Sequence, residues 1–228
     1  MADLPPSMPF ESKYVGSNRI APLLLERLGK SFAPDGEHPI NQVHSVYFDT
    51  PAGDAFAEVD NGDFYKTKVR LRWYGSDSPD AGPTGPAFLE CKRKFGARRD
   101  KLRVRADAFP RDLPLHHSAW LTLPHLLREQ GAELPAGLLQ PTLHITYRRH
   151  RFVEPTHELR IALDYDIRAV AVHPRFSHMQ AMAGRAAPWL VFEAKGSTRQ
   201  LPASLRFVPA MGVRRQAFSK YGLWNDLL

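Results

Sequence analysis

Four basic side chains at every second position, Lys66, Lys68, Arg70 and Arg72 in KTKVRLRWYG, constrain this chain more than any other feature. Alternation with a period of two is a strand pattern, so these cations point one way while Val69, Leu71 and Trp73 point the other. The pattern recurs in VHSVYFD (43–49), AFLECKRK (87–94), DKLRVRAD (100–107), PTLHITYRRHRFV (141–153), ELRIALDYDIRAV (158–170) and PWLVFEAKG (188–196), so at least seven strands are expected. Helical spacing is confined to shorter pieces. Ser17 or Asn18 caps a segment in which Leu24, Leu25 and Leu28 form an apolar stripe. Residues 115–131 have helical spacing, divided by Pro124 and ended by Gly131. From Phe207 onward a loop or helix leads to Phe218, Tyr221, Leu223 and Trp224, which are available to anchor the terminus. The expected fold class is α+β, mainly antiparallel β. Residues 75–86 and 171–187 read as surface connections, and no linker separates the two series of strands, so one domain over 1–228 is expected.

Charge says what such strands are for. Residues 66–105 hold twelve Lys/Arg against four Asp/Glu, a local excess of eight in a chain whose net charge is +7. The positive field is therefore local, and it favours anionic partners. Glu90, Lys92 and Lys94 share one strand face, as do Lys101, Arg103 and Arg105. Like charges opposed across a sheet are destabilising, so converging ladders call for water or a compensating anion. A solvated sheet face and an anion-binding face both remain open on these grounds.

Carboxylates also enter the set: Asp164 and Asp166 lie between Arg160 and Arg168, and Glu193 lies two residues before Lys195. Mg²⁺ and Mn²⁺ take carboxylate oxygens and share their remaining positions with water and phosphates. Glu193 is thus either a metal ligand or half of a local ion pair. A polyphosphate carries charge along its whole length and no apolar body, which demands many Lys/Arg contacts. Phosphoryl transfer needs alignment and charge neutralisation rather than a covalent nucleophile.

Other chemistries find no support. Cys91, the single cysteine, excludes a disulfide framework and a paired-thiolate zinc site, and its position on the apolar side of its strand marks it as core. GxxxxGK[ST], GxGxxG, HExxH and GxSxG are absent. His116 and His117 read as surface or helix-end residues. No basic segment followed by an apolar run opens the chain and no 18 consecutive apolar residues occur, so the expectation is a soluble, cytoplasmic protein.

Taken in order, these segments resemble the vacuolar transporter chaperone (VTC) domain, the polyphosphate polymerase branch of the triphosphate-tunnel (CYTH-like) superfamily. The resemblance is carried by Glu11, Lys13 and Tyr14 of an ExKY motif, SVYFDT (45–50), KVRLRWYG (68–75), LECKRK (89–94), TYRRHRF (146–152), LRIALDYDI (159–167), FEAKG (192–196) and SKYG (219–222). It implies a triphosphate-tunnel β-barrel with a few flanking helices, and metal-dependent transfer of the ATP γ-phosphate onto inorganic polyphosphate. Carried over position by position, Lys13, Arg70, Arg72, Lys92, Arg149, Arg160, Lys195 and Lys220 are the implied catalytic phosphate contacts. Lys68, Lys94, Lys101, Arg103 and Ser219 are further substrate contacts, and Tyr47 or Tyr221 supports the wall. Glu193, with Glu11, is the implied ligand set for Mn²⁺ or Mg²⁺. Implied partners are ATP and polyphosphate or tripolyphosphate, without nucleic acid; coupling to a membrane falls to a separate partner. Hydrolases and cyclases of the superfamily open with ExExK, whereas Pro9 stands at the first Glu position here, as in the VTC branch. Three alternatives stay open: a triphosphatase or nucleotide phosphohydrolase of the same fold, a non-catalytic polyphosphate-binding module, and a nucleic-acid-binding β protein using Trp73 and Tyr74.

Overall fold

The alternating stretches all become strands. A computed structural model describes residues 10–60, 64–75, 85–95, 98–176, 180–181, 183–198 and 200–222. In chain order its elements are β1 (Phe10–Ser17), α1 (Ala21–Ser31), β2 (Ala33–Pro34), β3 (Ile40–Asp49), α2 (Asp54–Asp60), β4 (Tyr65–Gly75), β5 (Ala87–Phe95), β6 (Arg98–Ala106), α3 (Leu123–Glu129), β7 (Gln140–Glu154), β8 (Leu159–Val172), β9 (Trp189–Gly196), α4 (Phe207–Ala210) and β10 (Arg214–Arg215). The class is mainly antiparallel sheet with few helices, as expected. Most of the 75–86 connection, and Leu223 and Trp224, lie outside the described residues. No helix among the described residues is long and apolar enough to cross a membrane.

Contacts divide the chain into two compact units. The first comprises Met1–Asn41, Tyr147–Ile167 and Ala187–Phe218; the second comprises Gln42–Thr146, Arg168–Ala186 and Ser219–Leu228. In the first unit the strands pair in the order β10-β1-β9-β8-β7, with β2 added to β7. Register puts Tyr14 beside Phe192 and Phe192 beside Leu163, all on one sheet face. Over that face α1 lays Leu24 and Leu28, and Phe152, Leu205, Val208 and Val213 complete the core. Ser17 accepts the Arg19 N–H at the entry to this helix, and Pro22 occupies its first turn, where no backbone donor is needed. The glycine of FEAKG is demanded by packing. A Cβ on Gly196 would lie 2.3 Å from Leu159 Cδ2.

The second unit pairs its strands in the order β7-β3-β4-β5-β6. In both units the pairing is an open series among the described residues. Val46, Val69, Leu71, Leu89 and Cys91 line one face and are covered by Trp120, Leu123 and Leu127 from the 115–131 segment. This segment is split as its sequence suggests, into a 3-10 turn at Ser118–Thr122 and α3 from Leu123. His117 caps the turn by accepting the Ala119 N–H. Two elements depart from the sequence pattern. β1 was not signalled by apolar alternation because its buried positions are Ser12, Tyr14 and Gly16, and α2 is only seven residues long.

Candidate functional site

Within each unit the sheet turns its apolar core residues to one face and most of its charges to the other, with the Arg93–Asp100 pair an exception on the apolar side. In the second unit, cross-strand register aligns Lys66 with Lys94, Lys68 with Lys92 and Lys101, and Arg70 with Glu90 and Arg103. Arg72 aligns with Phe88 and Arg105. The cations expected to share a face therefore do so across three adjacent strands, about 4.8 Å apart.

Glu90 is what makes this row tolerable. Its carboxylate is almost fully buried and takes Arg70 Nε at 2.8 Å and Nη2 at 2.6 Å on one oxygen. Lys101 Nζ lies 2.9 Å and Arg103 Nε 3.7 Å from the other. Burial opposes its ionisation, but Arg70, Arg72 and Lys101 outweigh burial and hold the carboxyl well below the usual carboxylate range. Arg103 also lies over the Phe88 ring at 3.5 Å. Arg72 donates to Ser45 Oγ, and Lys68 donates to Ser219 Oγ at 2.8 Å. Lys94, Lys101 and Arg103 are more exposed than Arg70 and Arg72.

The SKYG segment is pinned beside this face by Tyr221. Its hydroxyl donates to Asp49 Oδ2 at 2.8 Å and accepts from Thr142 Oγ1 at 3.1 Å, and its ring stacks on Tyr47 with centroids 4.9 Å apart. Asp49 is itself fixed by the backbone N–H groups of Thr50, Ala55 and Phe56, which makes it the anchor of α2 as well. Tyr221 thus fixes the backbone next to Ser219 and Lys220. Tyr47, opposite Arg70 in register, is buried.

In the first unit the charged face is built by β1, β9, β8 and β7. Register aligns Glu11 with Lys195 and Arg160, and Lys13 with Glu193 and Ala162. Lys195 Nζ lies 2.7 Å from Glu193 Oε1 and 3.5 Å from Glu11 Oε2. Lys13 Nζ lies 3.3 Å from Glu11 Oε1 and donates to the Phe218 carbonyl. Arg149 grips Asp164 through Nε and Nη2, the latter at 2.7 Å, and its Nη2 lies 3.9 Å from Glu193 Oε2. Arg160 is exposed on the same face.

Burial resists the charge on Glu193, yet Lys195, Arg149 and Lys13 prevail, and its carboxyl is held below the usual carboxylate range. Burial likewise disfavours the Lys195 ammonium, but Glu193 and Glu11 raise its pKa. Glu11 and Glu193 are hard oxygen donors joined through one ammonium, a set that suits a divalent cation completed by water and phosphate oxygens. Among the described residues no three His, Cys, Asp or Glu side chains gather as a self-sufficient metal cage.

Sequence reasoning placed the cations but gave no role to Glu90, Asp164, Asp49 or the Tyr221 hydroxyl. Glu90 lay inside the LECKRK motif, where its parity with Lys92 was a usable signal. The pairing of Asp164 with Arg149 left none.

The chain is thus a mainly antiparallel β protein with apolar residues packed on one sheet face and aligned cations holding buried carboxylates on the other. The VTC domain family matches residues 9–224, nearly the whole sequence, and the chain belongs to that family. Its fold is similar to that of a candidate adenylate cyclase from Vibrio parahaemolyticus, at 14% identity and a TM-score of 0.51, covering 96% of this chain and 98% of that one. A second candidate adenylate cyclase, from Bacillus halodurans, gives 12% identity and a TM-score of 0.57 over 93% of this chain and 94% of that one. No curated protein sequence matches the chain.

Proposed function

We propose that this protein is a metal-dependent polyphosphate polymerase that moves the γ-phosphoryl group of ATP onto the end of an inorganic polyphosphate chain. The observation that carries this reading is the placement of Glu193, a buried carboxylate kept ionised by Lys195, Arg149 and Lys13 on a cationic sheet face. Family membership supports a phosphate-directed function, and the names of the two structural neighbours agree with a nucleoside triphosphate as donor.

In this reading Arg70, Arg72 and Lys92 hold phosphate oxygens on the second unit's face, assisted by Lys68, Lys94, Lys101, Arg103 and Ser219. Arriving phosphates compete with Glu90 for its guanidinium and ammonium partners. On the first unit's face, Lys13, Arg149, Arg160 and Lys195 are phosphate contacts in the same reading. Lys220, fixed in place by the neighbouring Tyr221, adds a further cation. A terminal oxygen of the acceptor chain attacks the γ-phosphorus, the bond from that phosphorus to the bridging β-oxygen breaks, and ADP leaves with the electron pair. Glu193 and Glu11 would hold Mn²⁺ or Mg²⁺, which supplies further neutralisation of phosphate charge. The protein side chains contribute alignment and electrostatics throughout, which suits a site without a covalent nucleophile.

The test is incubation with ATP and Mn²⁺ or Mg²⁺, followed by gel separation of products. A ladder of long chains is expected. Release of free phosphate without chains would replace the polymerase with a hydrolase, and tight tripolyphosphate binding without turnover would leave a binding module.

A further inference from the structure

Three large aromatic side chains of the second unit stand in solvent while touching one another. Phe64, Tyr65 and Phe95 are 66%, 44% and 59% exposed. Phe64 meets Phe95 edge to face with centroids 4.9 Å apart, and Tyr65 meets Phe95 at 6.3 Å. These rings lie outside the core of their unit. Tyr65 and Phe95 share a sheet face with that core, but the next pair along the face is Thr67 with Arg93, and only beyond it come Val69 and Cys91. Arg93 is itself tied to Asp100 and Glu133. The rings mark one end of the sheet instead: β4 begins at Tyr65, β5 ends at Phe95, and β6 begins at Arg98, opposite Phe95. One residue inward Lys66 pairs with Lys94, on the face opposite to Tyr65 and Phe95. Both faces meet at the strand ends, and the four-carbon stem of a lysine outreaches the ~3.3 Å rise of one strand residue. Residues 92–101 hold six Lys/Arg against one Asp, so this end of the sheet is strongly basic.

We propose that this strand end docks on an anionic phospholipid surface, with Phe64, Tyr65 and Phe95 entering the headgroup layer and Lys66 and Lys94 meeting the charged headgroups. Size and charge select that occupant. Rings exposed to this degree offer at most about 400 Å², half of the ~800 Å² that a stable protein interface takes from each partner. A second copy of the chain would also bring like charges together. A bilayer needs no matching pocket: aromatic rings settle at the headgroup level, and each basic residue nearby is drawn by the negative surface potential. This contact is peripheral, requires no spanning segment, and stands independently of the phosphoryl transfer proposed above.

The experiment is co-sedimentation of the full chain with vesicles of phosphatidylcholine alone and of equimolar phosphatidylcholine and phosphatidylserine, with thermal melting to confirm that each variant is folded. The unaltered protein should sediment with the phosphatidylserine vesicles only. Phe64→Ala/Phe95→Ala should lower its partitioning by at least about tenfold, and Lys66→Gln by about fivefold, the share of one basic residue near an anionic surface. Phe64→Trp keeps a ring in place, and its added fluorescence should shift to the blue with phosphatidylserine vesicles but not with phosphatidylcholine. The proposal is overturned if the unaltered protein ignores phosphatidylserine vesicles, or if the double alanine variant binds them as well as the unaltered protein does. Vesicle binding that tripolyphosphate abolishes and the alanine variant retains would show headgroups captured as free anions by the cationic strand faces. Self-association that depends on Phe64 and Phe95, without vesicle binding, would make the rings a contact between copies of the chain and also overturn it.

Discussion

Glu193 stands where Lys13, Arg149 and Lys195 meet, and its ionisation is a property of that placement. Folding lowers its pKa from the ordinary 4.5, so the folded state holds the proton more weakly than the unfolded chain does. Its contribution to stability is therefore complete above that ordinary value and is lost as pH falls through the lowered one. Glu193→Gln should flatten the acid limb of a melting-temperature profile between about pH 5 and pH 3. The same variant should lower metal-dependent turnover by about 100-fold or more, the scale of removing an electrostatic partner of a reacting group. An unchanged rate in a folded variant would remove Glu193 from the proposed site. The pairing of Glu193 with Lys195 was legible because residues two positions apart on one strand share a face. The grip of Arg149 on Asp164 was not, because it depends on how β7 and β8 are aligned, and nothing local in either segment fixes that register.

At the scale of the element, the β4-β5-β6 face is a set of like charges made compatible by one buried acid. Removing one partner of a buried ion pair leaves the others uncompensated, at a cost of about 3–5 kcal/mol. Glu90→Gln should destabilise the protein to about that extent in denaturant unfolding, and added tripolyphosphate should restore part of the loss by binding the vacated cations in the folded state. Destabilisation that tripolyphosphate fails to relieve would mean that Glu90 is structural only.

A second element-scale dependence lies between β3 and β7, where His44 Nδ1 is 3.2 Å from His144 Nε2 and His44 stacks on Trp73. Burial lowers the two pKa values from 6.5 to about 4 for His44 and about 3 for His144. Both rings stay neutral when folded and gain protons on unfolding, so stability is greatest above 6.5 and declines as pH drops towards about 4. His144→Phe should make that decline shallower in a pH series of thermal melts. The strands themselves were legible from alternation. β1 hid its pattern by burying Ser12 and Gly16 where apolar residues would have announced it, and α2 is too short to display a helical period.

At the scale of the whole molecule, a sequence that shows no linker nonetheless yields two units, because β7 and β8 each pass from one to the other. Period-two alternation specifies a strand, but not where along its length packing changes partners. The net charge of +7 is likewise uninformative until it is located. Located, it lies on sheet faces that also carry Glu90 in one unit and Glu193 and Asp164 in the other. On the proposed function, a compact, densely charged anion would gather several Lys and Arg within a few strands and compete with these internal acids. A long duplex spreads its phosphates over a large surface, and its affinity comes mainly from released counterions, so it weakens steeply with salt. Tripolyphosphate at about 100 times its dissociation constant should therefore raise unfolding free energy by about 2.7 kcal/mol. Duplex DNA at equal phosphate concentration and near-physiological salt should give little shift and should displace tripolyphosphate poorly. Equal stabilisation by the duplex, vanishing as salt rises, would instead make the basic strands a nucleic-acid surface.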